Sequence, residues 1–161
     1  MSINIGMTTW GAAAAPASLT KAGFEALSWV QHKGTEVAPV FGQDHATQEV
    51  PDLATGETTG HKGQASGKET TTQYHGTGGD TGITALILAA KSRPGIYSLK
   101  IARGSGTMGA DGPAVESGDV VEYASGYVHN HVPNANDSTT HEGGTVSFKQ
   151  NGITVVDVEP S

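Results

Sequence analysis

A mainly β fold, a β-sandwich or squashed β-barrel with one flanking α-helix, is predicted by three features of the chain. Short runs of alternating apolar and polar residues recur between turns rich in Gly and Thr, the pattern of strands with one face buried. Only residues 80–95 read unambiguously as a helix. Leu, Ile, Val and Phe together supply 29 of 161 residues, or 18%, just under the roughly 20% below which a charged chain is suspected of disorder. A lone monomer is therefore expected to hold a small core and several loose segments, which neighbouring copies would order.

Taken in order, residues 1–23 predict an extended N-terminal arm: Gly6, Gly11, a run of four alanines, Pro16 and Gly23 argue against a regular element. Trp10 in this arm packs either on the chain's own surface or in a neighbouring subunit. Residues 24–161 predict a single β domain. In it, residues 24–31 (FEALSWVQ) favour a strand, although Ala and Leu also permit a short helix. Residues 35–41 predict a second strand, with Pro39 confining it to an edge or an end.

Residues 54–79 hold almost no large apolar side chain. Two Thr-rich ribs, 57–62 and 68–75, predict a long polar hairpin turning through residues 63–67. Its alternatives are a mobile solvent loop and a limb that docks on another subunit, the second favoured because long loops in compact domains are uncommon without a function.

The helix follows, at about residues 81–93. Asp80 or Thr81 caps it, Ile83, Leu86, Ile87 and Ala90 form one apolar stripe, Lys91 and Arg93 suit the negative end of its dipole, and Pro94-Gly95 stops it. One short helix cannot make a core alone, so it must lie on a sheet. Residues 96–103 (IYSLKIAR) alternate as a half-buried strand. Residues 119–123 and 126–132 predict two strands with a bulge at Ser125-Gly126 between them. The chain closes on TVSFKQ-NG-ITVVDVE, where Asn151-Gly152 between two alternating runs signals a β-hairpin.

Composition removes several functions. There is no cysteine, hence no disulfide framework, thiolate nucleophile or Cys-based zinc site. A net charge of −7 argues against tight binding of nucleic acid or anionic membrane, but suits a channel through which DNA must pass without sticking. The N-terminal segment has neither a basic leader nor a long apolar run, so neither signal peptide nor membrane anchor is read there and use on the cytoplasmic side is expected. His129, His131 and His141 are the best candidates for a metal site, since residues two apart on a strand share a face. A cupin-type site would need an acidic residue soon after the pair, and only Asp137 and Glu142 follow; packed or exposed histidines are the expectation, with no cofactor. The Gly-rich segments lack the Gly-Lys-Ser/Thr of a phosphate loop, no GxSxG occurs, and no carboxylate pair sits in an apolar setting. No enzymatic role is expected.

The layout resembles the major tail tube protein of long-tailed bacteriophages. The likeness is carried, in family order over most of residues 24–159, by FEALSWVQHKG, PVFGQDHATQEVPDLATG, the polar hairpin, DTGITALILAA and SFKQNGITVVDVEP. That family is similar in fold to the tube proteins of contractile tails and type VI secretion. The resemblance implies hexameric rings stacked into a hollow tube in the virion tail, assembled in the host cytoplasm beside tape measure and terminator proteins, with DNA passing through the lumen. It implies no catalytic residues. Ring contacts are expected from the arm, at Trp10, and from the hairpin, at Thr58, His61, Lys62, Lys68, Thr70, Thr72 and Tyr74. The alanine-rich N-terminus departs from the family pattern. Competing readings are a capsid decoration or tail terminator protein, a β-sandwich carbohydrate- or receptor-binding module with exposed aromatics, and a metal-dependent barrel enzyme using the three histidines.

Overall fold

The computed structural model describes residues 6–76 and 80–159. The first five residues of the expected arm and Thr77, Gly78 and Gly79 of the expected hairpin lie outside these residues. Among the described residues, twelve strands and two helices run in the order β1 (Met7–Ala12), α1 (Lys21–Glu25), β2 (Val30–His32), β3 (Thr35–Val37), β4 (Gln43–Pro51), β5 (Thr58–Gly67), β6 (Glu69–His75), α2 (Thr81–Lys91), β7 (Ile96–Arg103), β8 (Met108–Gly109), β9 (Gly112–Pro113), β10 (Val120–Pro133), β11 (Gly143–Gln150) and β12 (Val155–Val158).

One antiparallel sheet runs β2-β1-β7-β10-β11-β6-β3, and β12 adds to β10. Its first and last strands are consecutive in the chain, linked by Lys33-Gly34, so the sheet curls until its ends meet and becomes a squashed barrel. Gly34 makes that link at φ 71°, and a Cβ there would lie 2.6 Å from the His75 carbonyl oxygen.

α2 lies on β10 and touches β1, β2, β7 and β11. Asp80 caps it, accepting from the Ile83 amide at 2.9 Å. Ile83, Leu86 and Ala89 are buried, with Ile87 and Ala90 packed beside them, against Tyr74, Tyr97, Leu99, Ala124, Val128, Val146 and Phe148. Ser92 leaves the helix for an extended conformation, and Arg93, directly before Pro94, is the residue that the proline ring disfavours in the α region. Arg93 is therefore not helical. The opposite face of the sheet carries a second cluster of Phe24, Ala102, Val121 and Tyr123. β7 is thus covered on both faces, six of its eight residues being buried, rather than half-buried as its alternation predicts.

Four further expectations are corrected. Residues 7–12 are not an extended arm but β1, inserted between β2 and β7. Gly11, which argues against regular structure, is what admits the strand: a Cβ there would sit 2.1 Å from the Tyr97 hydroxyl. Residues 24–31 open as helix, because Thr20 caps α1 by accepting from the Gly23 amide at 3.3 Å, and only Val30–His32 pairs as a strand. β10 is one continuous strand whose irregularity against β11 falls between His129 and Val132, where Asn130 takes φ 53°. Finally, β11 and β12 do not form a hairpin. Both pair with β10, and Asn151-Gly152 belongs to a jog opposite Ala124 and Ser125.

Beside Gly11, the His32 Nε2 and the Tyr97 hydroxyl are hydrogen-bonded at 2.7 Å in the interior. Burial pulls the His32 pKa down to about 4, against the opposing influence of Asp80, so the ring is neutral. The unfolded chain takes up this proton near the ordinary histidine value of 6.5 and the folded chain does not until about 4. Stability is therefore full above the higher value and falls as pH drops through that window, by up to about 3 kcal/mol. Urea unfolding at pH 7 and pH 4.5 should show a loss in the wild type that is clearly smaller in His32→Gln.

Candidate assembly surface

Among the described residues β4 and β5 pair only with each other, and they leave the barrel as a hairpin about 30 Å long, by the rise of nine extended residues. Every residue from Asp44 to Lys62 is exposed, and both outer edges are open. An isolated two-stranded hairpin is marginally stable at best in water. The whole chain exposes 9465 Å² for 16.4 kDa, where a compact monomer of that mass exposes about 7,500 Å². The excess is of the order of a standard protein interface.

The register assigns side chains to faces. Thr47, Glu49 and Pro51 stand opposite Lys62, Gly60 and Thr58, and on the other face Gln48 and Val50 stand opposite His61 and Thr59. The tip is a preformed knob. The Asp52 amide donates to the Glu57 carbonyl and the Gly56 amide to the Asp52 carbonyl, both at 2.9 Å, with Gly56 at φ 71°. The Asp52 carboxylate accepts from the Ala54 amide at 2.8 Å. Leu53 projects from this knob fully exposed.

The root of the hairpin is clamped. Gln150, 1% exposed, accepts from the Gly42 amide at 3.1 Å through Oε1 and donates through Nε2 to the Gly152 carbonyl and the Thr154 hydroxyl. The Lys68 amide donates to Gly42, and Lys149 Nζ donates to the Gly67 carbonyl and to Ser66 Oγ. Gly67 is required here, since a Cβ would lie 1.8 Å from the Gln150 carbonyl oxygen. Gln150→Ala leaves the Gly42 amide without this acceptor, which costs about 1–3 kcal/mol. Urea unfolding should register that cost, and the amides at the hairpin base should exchange faster than in the wild type.

The predicted hairpin of residues 54–79 is thus displaced along the chain. Its turn lies at residues 52–57, Gly63 and Gly67 lie inside β5, and β6 pairs with β11 and β3 instead of with β5. Thr58, His61 and Lys62 stand on the hairpin, and Lys68 at its root. Thr70 is half-buried and accepts from the Val40 amide. Thr72 and Tyr74 are enclosed by the chain itself, because β6 is paired along its length by β11, and at Gln73 and Tyr74 by β3, and turns these alternate residues inward. Trp10 packs partly against its own chain, its indole N–H donating to Thr8 Oγ1 at 3.0 Å and Lys100 Nζ lying 5.7 Å from its ring. Strand β4 was not expected at all. The Pro51-Asp52 and Gly56 turn chemistry between two polar runs is the signal that locates it. Nothing in the sequence marks Gln150.

Each of the three candidate histidines has its own partner. His129 meets Glu69 at 3.0 Å, His141 meets Glu36 at 2.6 Å, and His131 meets the Tyr74 hydroxyl at 2.7 Å. Burial, and secondarily Lys91, lowers the His131 pKa. Among the described residues no group of three or more His, Cys, Asp or Glu could hold a metal ion. A groove of about 410 Å³ is lined by Trp10, Trp29 and the Lys100–Glu159 ion pair, but the indole N–H of Trp29 is also taken up internally, by the Phe24 carbonyl at 2.9 Å. No helix is long and apolar enough to cross a membrane, among the described residues.

No protein-family model matches the chain, and no curated protein matches it in sequence. Solved structures do share its fold. A chain of the PVC sheath-tube complex, from an extracellular contractile injection system in its extended state, is similar at a TM-score of 0.60 and 10% identity, over 98% of this chain and 91% of that one. A chain of the anti-feeding prophage cap, which terminates a tube, is similar at a TM-score of 0.56 and 13% identity, over 99% and 94%.

Proposed function

We propose that this chain is a non-enzymatic structural subunit of a phage-tail-like particle. It assembles with copies of itself into stacked rings, hexameric as in the family it resembles, to form the hollow tail tube of a virion through which DNA is delivered without specific binding. Assembly takes place in the host cytoplasm, and tape measure and terminator proteins are its neighbours in the tail. The observation that carries this reading is the β4–β5 hairpin: its strands are open on both faces and both edges, so docking on another copy supplies the burial that a two-stranded ladder lacks. The fold shared with the sheath-tube chain supports it. The likeness to the cap chain favours a second reading, a terminator that forms one closed ring. Negative-stain microscopy of the purified protein separates them: hollow tubes or stacked six-fold rings are expected for the first, single rings for the second, and a dispersed monomer would refute both.

A further inference from the structure

Resting on that reading of self-assembly, we infer that the hairpin tip docks on the C-terminal end of α2 of a second copy and the segment just beyond it, at Leu88, Lys91 and Arg93. The distal part of the hairpin carries Glu49, Asp52 and Glu57 around the exposed Leu53, and no ion pair within the chain engages any of the three carboxylates among the described residues. An acidic rim around one apolar knob calls for a cationic rim around an apolar patch.

The barrel offers few cations for this. Lys21 is paired with Asp157 and Glu25, Lys33 with Asp111, and Lys100 with Glu159. Arg103 is engaged within the chain, and Lys149 is held at the hairpin root by Ser66 and Gly67. Lys62 and Lys68 belong to the hairpin and its root. Lys91 and Arg93 remain, with no ion pair among the described residues. Leu88 lies one turn before Lys91 on the same side of the helix, and it is 68% exposed, the most exposed large apolar side chain after Leu53 among the described residues.

Charge complementarity therefore pairs the two surfaces, with Leu53 meeting Leu88 inside an ionic rim. The two patches are different surfaces of one chain, so the contact is head-to-tail. Such contacts build rings or continuous stacks rather than isolated two-fold dimers. Within one chain α2 packs on β10 and its neighbours rather than on β4 or β5, so the tip and the helix are not packed together in a single copy.

The absence of cysteine makes the test direct. The Leu53→Cys/Leu88→Cys double variant, oxidised with diamide after sedimentation has scored its assembly, should give a ladder of covalent multimers on a non-reducing gel. Leu53→Cys paired with Val156→Cys should give none. An assembled double variant that yields no ladder overturns the inference and leaves self-assembly standing. Charge exchange decides independently of the cysteines. Glu49→Lys/Asp52→Lys/Glu57→Lys and Lys91→Glu/Arg93→Glu should each need at least ten times the wild-type concentration to assemble, and an equimolar mixture should recover much of the loss. Assembly of both charge variants at the wild-type concentration overturns the inference; a wild-type protein that never assembles overturns the parent reading with it.

Discussion

Removing residues 45–65 and joining Asp44 to Ser66 through Asn-Gly is expected to abolish high-molecular-weight assembly while leaving a folded barrel. The cut falls where the Asp44 and Ser66 backbones already pair, and a two-residue Asn-Gly turn matches the twist of the strands it joins. The root clamp of Gly42, Gly67, Lys68 and Gln150 is kept, and both core clusters are untouched because no residue of 45–65 belongs to either. Thermal unfolding should thus stay cooperative, with its midpoint within a few degrees of the wild type. Sedimentation velocity should show the deleted protein as a monomer at concentrations where the wild type assembles. A deleted protein that still assembles would mean that other surfaces hold the copies together.

The second large effect is on the fold itself. Gly126→Ala should destabilise the barrel by about 3 kcal/mol or more, the upper end for overpacking and beyond it. Its Cβ would stand 1.9 Å from the Lys149 carbonyl oxygen, which is backbone of the paired strand and cannot rotate away. β10 is the strand on which β7, β11 and β12 all pair, so displacing it disturbs both core clusters. Glycine within a strand marks such a close approach of another backbone. Gly60→Ala is the internal control: nothing lies within 4 Å of its Cβ, so a change within about 0.5 kcal/mol is expected. Urea midpoints compare the two.

The same glycines explain what could be read in advance and what could not. α2 was legible because its apolar spacing, Asp80 cap and Pro94 stop are all local, and the β7 strand was legible from alternation. The second buried face of β7 was not, since Phe24 reaches Tyr123 from far along the chain, with ring centroids 5.2 Å apart. β1 was obscured because Gly11 reads locally as a breaker, while its role is to leave room for the Tyr97 hydroxyl and His32. Asn151-Gly152 marks an interruption in the pairing but not a reversal of the chain: β10, at fourteen residues, is long enough to pair with β11 and β12 in succession, and both run the same way along it. The presence of a protruding polar hairpin was legible in the lack of large apolar residues. Its register was not, because Thr-rich ribs pair equally well in several alignments, and the buried Tyr74 and Thr72 consigned β6 to the barrel.

The central claim is that the hairpin's proper environment is another copy of the chain. Backbone hydrogen exchange, measured on assembled protein and on protein dispersed to monomers, tests it most directly. The account predicts that amides of β4 and β5 exchange rapidly in the monomer, as a solvent-exposed ladder should, and become strongly protected on assembly, while those of β7 and β10 stay protected in both. Equal exchange of β4 and β5 in the two states would contradict it.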